Sequence, residues 1–184
     1  VVSDAVEQGD GQPLGLEDLA PLAEGQVRVD DHALALVAFA ERLEEQVGRV
    51  LAALDRLKLT ERTLVIFVGD HGYHLGERDW WNKNTLFDRS CRAPLIVAGP
   101  GVKPGHARGL AEFVDLYPTI AEHAGVKSPE GLAGRSLWPQ LRNPDAPGKD
   151  AAFTIVARGK DQRGDSIRID RWRYTEWSDG YREL

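Results

Sequence analysis

The chain has 184 residues, 42% hydrophobic and 28% charged, a balance ordinary for a globular protein and enough for one α/β domain or part of a larger one. A net charge of -6 leaves no basic surplus to neutralise phosphates, so general nucleic-acid binding is not expected. No apolar run is long enough to span a bilayer, no signal-peptide pattern opens the chain, and a lone cysteine, Cys91, excludes an internal disulfide or a cysteine-rich zinc site.

The chain opens at Val1 and holds no methionine, which predicts that its natural N-terminus lies upstream. Residues 1–31 are rich in Gly, Asp, Glu and Pro and read as a lead-in loop, with a short helical turn near Leu16–Leu19. A long helix follows, because Leu36, Ala40, Leu43, Val47, Val50, Leu54 and Leu57 recur at steps of three and four. Asp30 or Asp31 is placed to cap its start.

Thr63–Val68 is a continuous apolar run rich in β-branched residues, the composition of a strand buried on both faces in a parallel sheet. Pro94–Ala98 is a second such run, closed by Gly99-Pro100-Gly101. Asp115–Ala124 reads as a short helix stopped by Gly125 at the C′ position. Residues 126–150 carry Pro129, Pro139, Pro144 and Pro147 and read as a connecting loop with one helical turn at Gly134–Trp138. From Ala151 the pattern shortens and alternates: Phe153–Val156, Ser166–Ile169 and Trp172–Trp177 predict strands, the last two joined through Asp170-Arg171 as an antiparallel hairpin. The fold class predicted is α/β with a parallel or mixed sheet over residues 1–150, then a small antiparallel β subdomain over 151–184. Arg163, Arg168, Arg171 and Arg173 gather in that last part and read as a solvated strand face.

Asp70 and His71 stand directly after Val68-Gly69, where a buried strand emerges and where open α/β sheets bind ligands. A carboxylate at Asp70 suits Ca²⁺, Mg²⁺ or another hard divalent ion. An imidazole at His71 suits a transition metal, or a hydrogen bond to a bound anion. Local spacing alone leaves two readings open, a metal site or a polar turn between Gly69 and Gly72. His74 is a candidate substrate contact at the crevice, or else a hydrogen-bonded loop histidine. Lys83, inside Trp80-Trp81-Asn82-Lys83-Asn84, is a candidate to neutralise a sulfate or phosphate oxygen, or else a surface lysine. Trp80 and Trp81 read as packing residues, with one of them available to a substrate pocket. Cys91 shows no neighbouring base and is expected to be a buried thiol, not a nucleophile.

The stretch from Val47 to Trp138 resembles the sulfatases of the alkaline phosphatase superfamily. The matching residues are Gln46–Leu51, Thr63–Val68, Gly69-Asp70-His71-Gly72-Tyr73-His74-Leu75-Gly76-Glu77, Trp81–Asp88, Arg92–Ile96, Gly99–Gly101, Val114–Ile120 and Gly134–Leu137. Ser166-Ile167-Arg168 and Arg173–Trp177, with His71 and the thirteen-residue step to Lys83, further resemble the iduronate-2-sulfatase-like branch. The resemblance implies part of an alkaline-phosphatase-like sandwich and hydrolysis of sulfate esters by a formylglycine with a Ca²⁺ ion. It makes Asp70 and His71 metal ligands and Lys83 both a catalytic and a substrate-contacting residue. The formylglycine motif Cys-x-Pro-Ser-Arg and an early Asp-Asp pair are absent, so the nucleophile is expected in an N-terminal segment of the same protein. The chain is then roughly the final two-fifths of a typical member. The expected substrate is a small-molecule or saccharide sulfate ester, and the expected location is periplasmic or secreted. A phosphodiesterase or phosphonate monoester hydrolase, or a truncated interaction module, are the alternatives. Arg78-Asp79 departs from the family, which usually shows His-Gly there.

Overall fold

The computed structural model describes residues 31–184, with side chains from Ala40 onward. The lead-in expected over residues 1–30, including its turn near Leu16–Leu19, lies outside the described residues, as does a cap at Asp30. The chain forms two compact units that part between Thr63 and Leu64. The first contains helix α1, Asp31–Arg56, and a 3-10 turn at Thr60–Arg62. The helix stops where Lys58 takes a left-handed φ of 56°, and the Leu59 N–H closes on the Leu54 carbonyl at 2.8 Å. No helix among the described residues is long and apolar enough to cross a membrane.

The second unit, Leu64–Leu184, is mixed α/β with two antiparallel sheets. Strands β1, Val65–Val68, and β2, Leu95–Ala98, are the two apolar runs. They pair antiparallel in the register Val65↔Ala98 to Val68↔Leu95, and the parallel arrangement expected for this pair is not what forms. The reason is physical: an apolar run records burial, not direction, and the long connection between them can return the chain in either sense. The expected burial on both faces also fails, since Phe67, Val68 and Ile96 are exposed. A four-residue helix α2, Asp88–Cys91, lies just before β2.

Helix α3, Leu116–His123, begins from a 3-10 turn at Phe113–Asp115 and ends as expected at Gly125. Gly125 has φ +67°, its N–H reaches the Glu122 carbonyl at 3.1 Å, and the Val126 N–H reaches the Ala121 carbonyl at 2.9 Å, a Schellman cap. Asp115, with no exposed surface, anchors this start: its carboxylate accepts from the Glu112 and Arg135 amides at 2.8 and 2.7 Å and meets Lys149 Nζ at 2.6 Å. Lys149 also meets Glu112 at 2.5 Å. Burial alone would lower the Lys149 pKa, but the Asp115 and Glu112 contacts outweigh it and hold the ammonium above the usual lysine range. The helical turn expected over Gly134–Trp138 does not form, and helix α4, Trp138–Arg142, begins only at its last residue. Its Trp138 is buried, donating from Nε1 to the Thr119 carbonyl at 3.0 Å.

The final sheet is an antiparallel meander of β3, Ala152–Arg158, β4, Gln162–Ile169, β5, Trp172–Trp177, and the short β6, Arg182–Glu183. Asp170 and Arg171 form the two-residue turn as expected, with Ile169 facing Trp172. Asp170 takes a positive φ of 32°. The sheet lies tight against the loop after β1 because Gly164 has no side chain: a Cβ there would fall 2.6 Å from Leu86 Cδ1 and 2.8 Å from the Trp177 ring. Leu86, Leu110, Leu137, Trp138 and Trp177 are the buried apolar residues of this unit, each worth roughly 1.5–3 kcal/mol of transfer free energy.

Candidate functional site

The site is built where β1 ends. The Gly69 N–H donates to the Pro94 carbonyl at 3.0 Å, which ties the end of β1 to the residue before β2. Gly72 then packs onto the end of α2, its N–H 2.8 Å from the Ser90 carbonyl. A Cβ on Gly72 would lie 1.9 Å from the Arg89 carbonyl oxygen and 2.5 Å from that of Arg92, so only glycine permits this approach. Asp70 and His71 are held between these two ties.

His71 Nδ1 donates to the Gly72 carbonyl at 2.8 Å. A carbonyl can only accept, so Nδ1 carries a ring proton, and in the neutral ring Nε2 presents its lone pair. That lone pair faces Asp70 Oδ1 at 3.2 Å, and the Lys83 ammonium also closes on Nε2. Two acceptors facing each other repel unless a positive charge lies beside them, which Lys83 supplies in part. The donor set also fits a divalent cation. Two ligand atoms each about 2.3 Å from one ion and at right angles lie about 3.3 Å apart. The Asp70 side chain is 86% exposed and the His71 side chain 32%, so both remain open to further ligands. Among the described residues no group of three or more His, Cys, Asp or Glu side chains gathers to hold a metal.

Lys83 arrives at the same point on a closed loop. The His74 N–H donates to the Asn82 carbonyl at 2.9 Å, the Lys83 N–H to Asn82 Oδ1 at 2.7 Å, and the Thr85 N–H to the Lys83 carbonyl at 2.8 Å. His74 itself is only 1% exposed, with Nε2 3.0 Å from Thr85 Oγ1, which in turn lies 2.6 Å from Ser90 Oγ. The expectation that His74 meets substrate is therefore corrected: it is a buried histidine that clamps the base of the loop. Trp80 and Trp81 are exposed, not packed as expected, and neither lines the cavity that contains Asp70, His71 and Lys83.

Cys91 is a half-buried free thiol, less covered than expected. Burial pushes its pKa up, against a smaller opposing pull from Arg173, and its Sγ lies 3.7 Å from the Thr85 carbonyl. At the departure from the family pattern, Arg78 and Asp79 both adopt left-handed φ values, 58° and 56°. The glycine usual at the second position is explained by that backbone. Two functional candidates were missed in the sequence, Arg168 and Arg173, which leave the solvated face assigned to them and converge on Asp88.

A sequence model of the Sulfatase family matches residues 30–126, more than half of the chain. The chain belongs to the sulfatase family. Rat arylsulfatase K is 30% identical over 154 residues, covering 78% of this chain and 27% of that protein. Choline-sulfatase of Rhizobium meliloti is 41% identical over 135 residues, covering 72% of this chain and 26% of that protein. Among solved structures, the 2-O GAG sulfatase BT1596 superposes with a TM-score of 0.68 at 28% identity, covering 77% of this chain and 33% of that one. The phosphonate monoester hydrolase SpPMH of Silicibacter pomeroyi does so with a TM-score of 0.68 at 30% identity, covering 74% and 31%. The fold is thus that of the alkaline phosphatase superfamily, and this sulfatase chain spans about 26–32% of the length of the curated relatives it matches.

Proposed function

We propose that this chain is the later segment of a sulfuric ester hydrolase, and that Asp70 and His71 are two ligands of its divalent metal, Ca²⁺ in the first instance. The observation that carries the reading is the convergence of Asp70 Oδ1, His71 Nε2 and Lys83 Nζ on one point at the end of β1. Membership of the sulfatase family supports it, as do relatives named arylsulfatase and choline-sulfatase. A bound divalent ion would act as a Lewis acid that draws charge from the ester oxygens. Asp70 supplies the anionic oxygen that holds such an ion. His71 presents Nε2, its orientation fixed by the Nδ1–H bond to Gly72. Lys83, as catalytic and substrate-contacting residue, neutralises a sulfate oxygen and the charge that grows on the departing oxygen.

The nucleophile, a formylglycine, and the other metal ligands belong in this reading to an N-terminal segment of the same protein. The exposed apolar residues Phe67, Val68 and Ile96 on β1 and β2 support that assignment, because a two-stranded pair is marginal alone. Ser166-Ile167-Arg168 and Arg173–Trp177 favour the iduronate-2-sulfatase-like branch and a sulfated saccharide as substrate.

The test is Asp70→Asn in the full-length protein, N-terminal segment included, assayed on matched sulfate and phosphate esters with Ca²⁺ added and removed, beside mass spectrometry of the wild type for formylglycine. The expected result is metal-dependent cleavage of the sulfate ester that falls at least a hundredfold in the variant. Activity confined to phosphate or phosphonate esters with an unmodified Ser or Thr nucleophile would overturn it. That outcome is the second reading, phosphonate monoester hydrolysis, which the likeness to SpPMH favours.

A further inference from the structure

The two-residue turn after β4 sets Arg168 directly opposite Arg173 on β5. Like charges so placed repel and need a counter-ion. Both guanidinium groups turn to one oxygen, Asp88 Oδ1, with Arg168 Nη1 at 3.3 Å, Arg173 Nη2 at 3.1 Å and Arg173 Nε at 3.3 Å. Arg173 Nη1 also donates to Ser166 Oγ at 3.1 Å. One carboxylate cannot balance two guanidinium charges, and these side chains are only 19% and 14% exposed. Arg168 Nε is buried without an acceptor, and so is Nε of Arg92, which leads into β2. A buried donor left unpaired is destabilising until an acceptor reaches it.

These three arginines line one cavity of about 440 Å³, and the same cavity extends to Asp70, His71 and Lys83. Its volume is in the range of small-molecule sites. The carboxylates on its wall are Asp70 and Glu112, and Glu112 is already held by Lys149. Positive charge is therefore in excess along a wall that starts at the proposed metal ligands.

We propose that Arg92 and Arg168, with Arg173 and Asp88 as their support, form a second anion pocket that takes a carboxylate or sulfate carried elsewhere on the substrate. The inference rests on the sulfatase reading and gives that site a substrate class: sugars bearing a second negative group besides the ester that is cleaved. A guanidinium fork matches the paired oxygens of either anion.

The test compares the full-length protein, N-terminal segment included, with its Arg168→Met variant on an aryl monosulfate and on a glucosamine disulfate. The readout is the ratio of kcat/KM for the disulfated sugar to that for the aryl ester. That ratio is expected to fall roughly tenfold to a hundredfold in the variant, the weight of a lost charge-assisted hydrogen bond. Arg92→Met, which lies outside the Asp88 contacts, is the second variant and is expected to lower the ratio in the same direction. An unchanged ratio in a folded variant overturns the pocket, including the case where both substrates suffer equally because an acidic segment of the protein fills the cavity. If the wild type cleaves neither sulfate ester, the sulfatase reading fails on its own, and inorganic sulfate then tests the pocket by calorimetry. Binding at least tenfold weaker in Arg168→Met supports it, and equal binding in wild type and variant overturns it.

Discussion

Replacing Lys149 with Met removes the only side-chain cation that touches Asp115 among the described residues. Lys149 Nζ lies 2.6 Å from Asp115 and 2.5 Å from Glu112, and its side chain is 14% exposed. Breaking a buried pair by removing one partner costs roughly 3–5 kcal/mol, because the abandoned charge stays buried. Asp115 keeps two backbone donors, from Glu112 and Arg135, which places the cost at the lower end, about 3 kcal/mol. For a chain of this size that corresponds to a Tm drop of roughly 6–12 °C. The pH dependence follows from the direction of the Lys149 shift. Its native pKa is raised, so the stability it contributes is complete below the unfolded lysine value of about 10.4 and is lost as pH climbs through the native value. Urea unfolding followed by tryptophan fluorescence should show an alkaline loss of stability in the wild type that is weakened in Lys149→Met. Adding Asp115→Asn should recover part of the lost stability by removing the orphaned charge. A Tm change under roughly 2 °C, or an alkaline slope identical in both proteins, would refute the reasoning.

Other substitutions probe the site and its supports. Gly72→Ala forces a Cβ into the Arg89 and Arg92 carbonyls, so we expect a loss of about 3 kcal/mol or more by thermal melting, with turnover down about a hundredfold as Asp70 and His71 move. Thr85→Val keeps the shape but strands His74 Nε2 and Ser90 Oγ, and should cost about 1–3 kcal/mol in chemical denaturation; a neutral result would mean His74 is not clamped. Asp79→Gly relieves a left-handed residue at φ 56° and should raise stability by roughly 0.5–1 kcal/mol, which differential scanning calorimetry would detect.

Local chemistry was the legible part of this fold. The three- and four-residue spacing along α1, the Gly125 cap and the Asp170-Arg171 hairpin are each written within a few residues, and each forms as expected. Asp70-His71 was visible because flanking glycines and a preceding apolar run are also local, and Lys83 joins it across a loop only thirteen residues deep. Strand direction was not legible, because β1 and β2 carry burial information on residues whose pairing partner lies far along the chain. Helix α2 is too short for any period to declare itself. The Lys149 contact with Asp115 joins residues with no pattern between them, although Glu112 and Asp115 do sit at the spacing of a capping box. Arg168 and Arg173 could have been found. A two-residue turn at Asp170-Arg171 puts them face to face, and a like-charge pair at facing positions asks for a carboxylate that a solvated face would not need.

Strands β1 and β2 pair with each other alone among the described residues, and Phe67, Val68 and Ile96 stand exposed on them. Such an edge is a template for any extended chain that reaches it. Produced as it stands, this polypeptide would gather into oligomers by adding strands from neighbouring copies, faster at higher concentration. A lysine placed at Phe67 to discourage stacking is then the route to a preparation free of such oligomers.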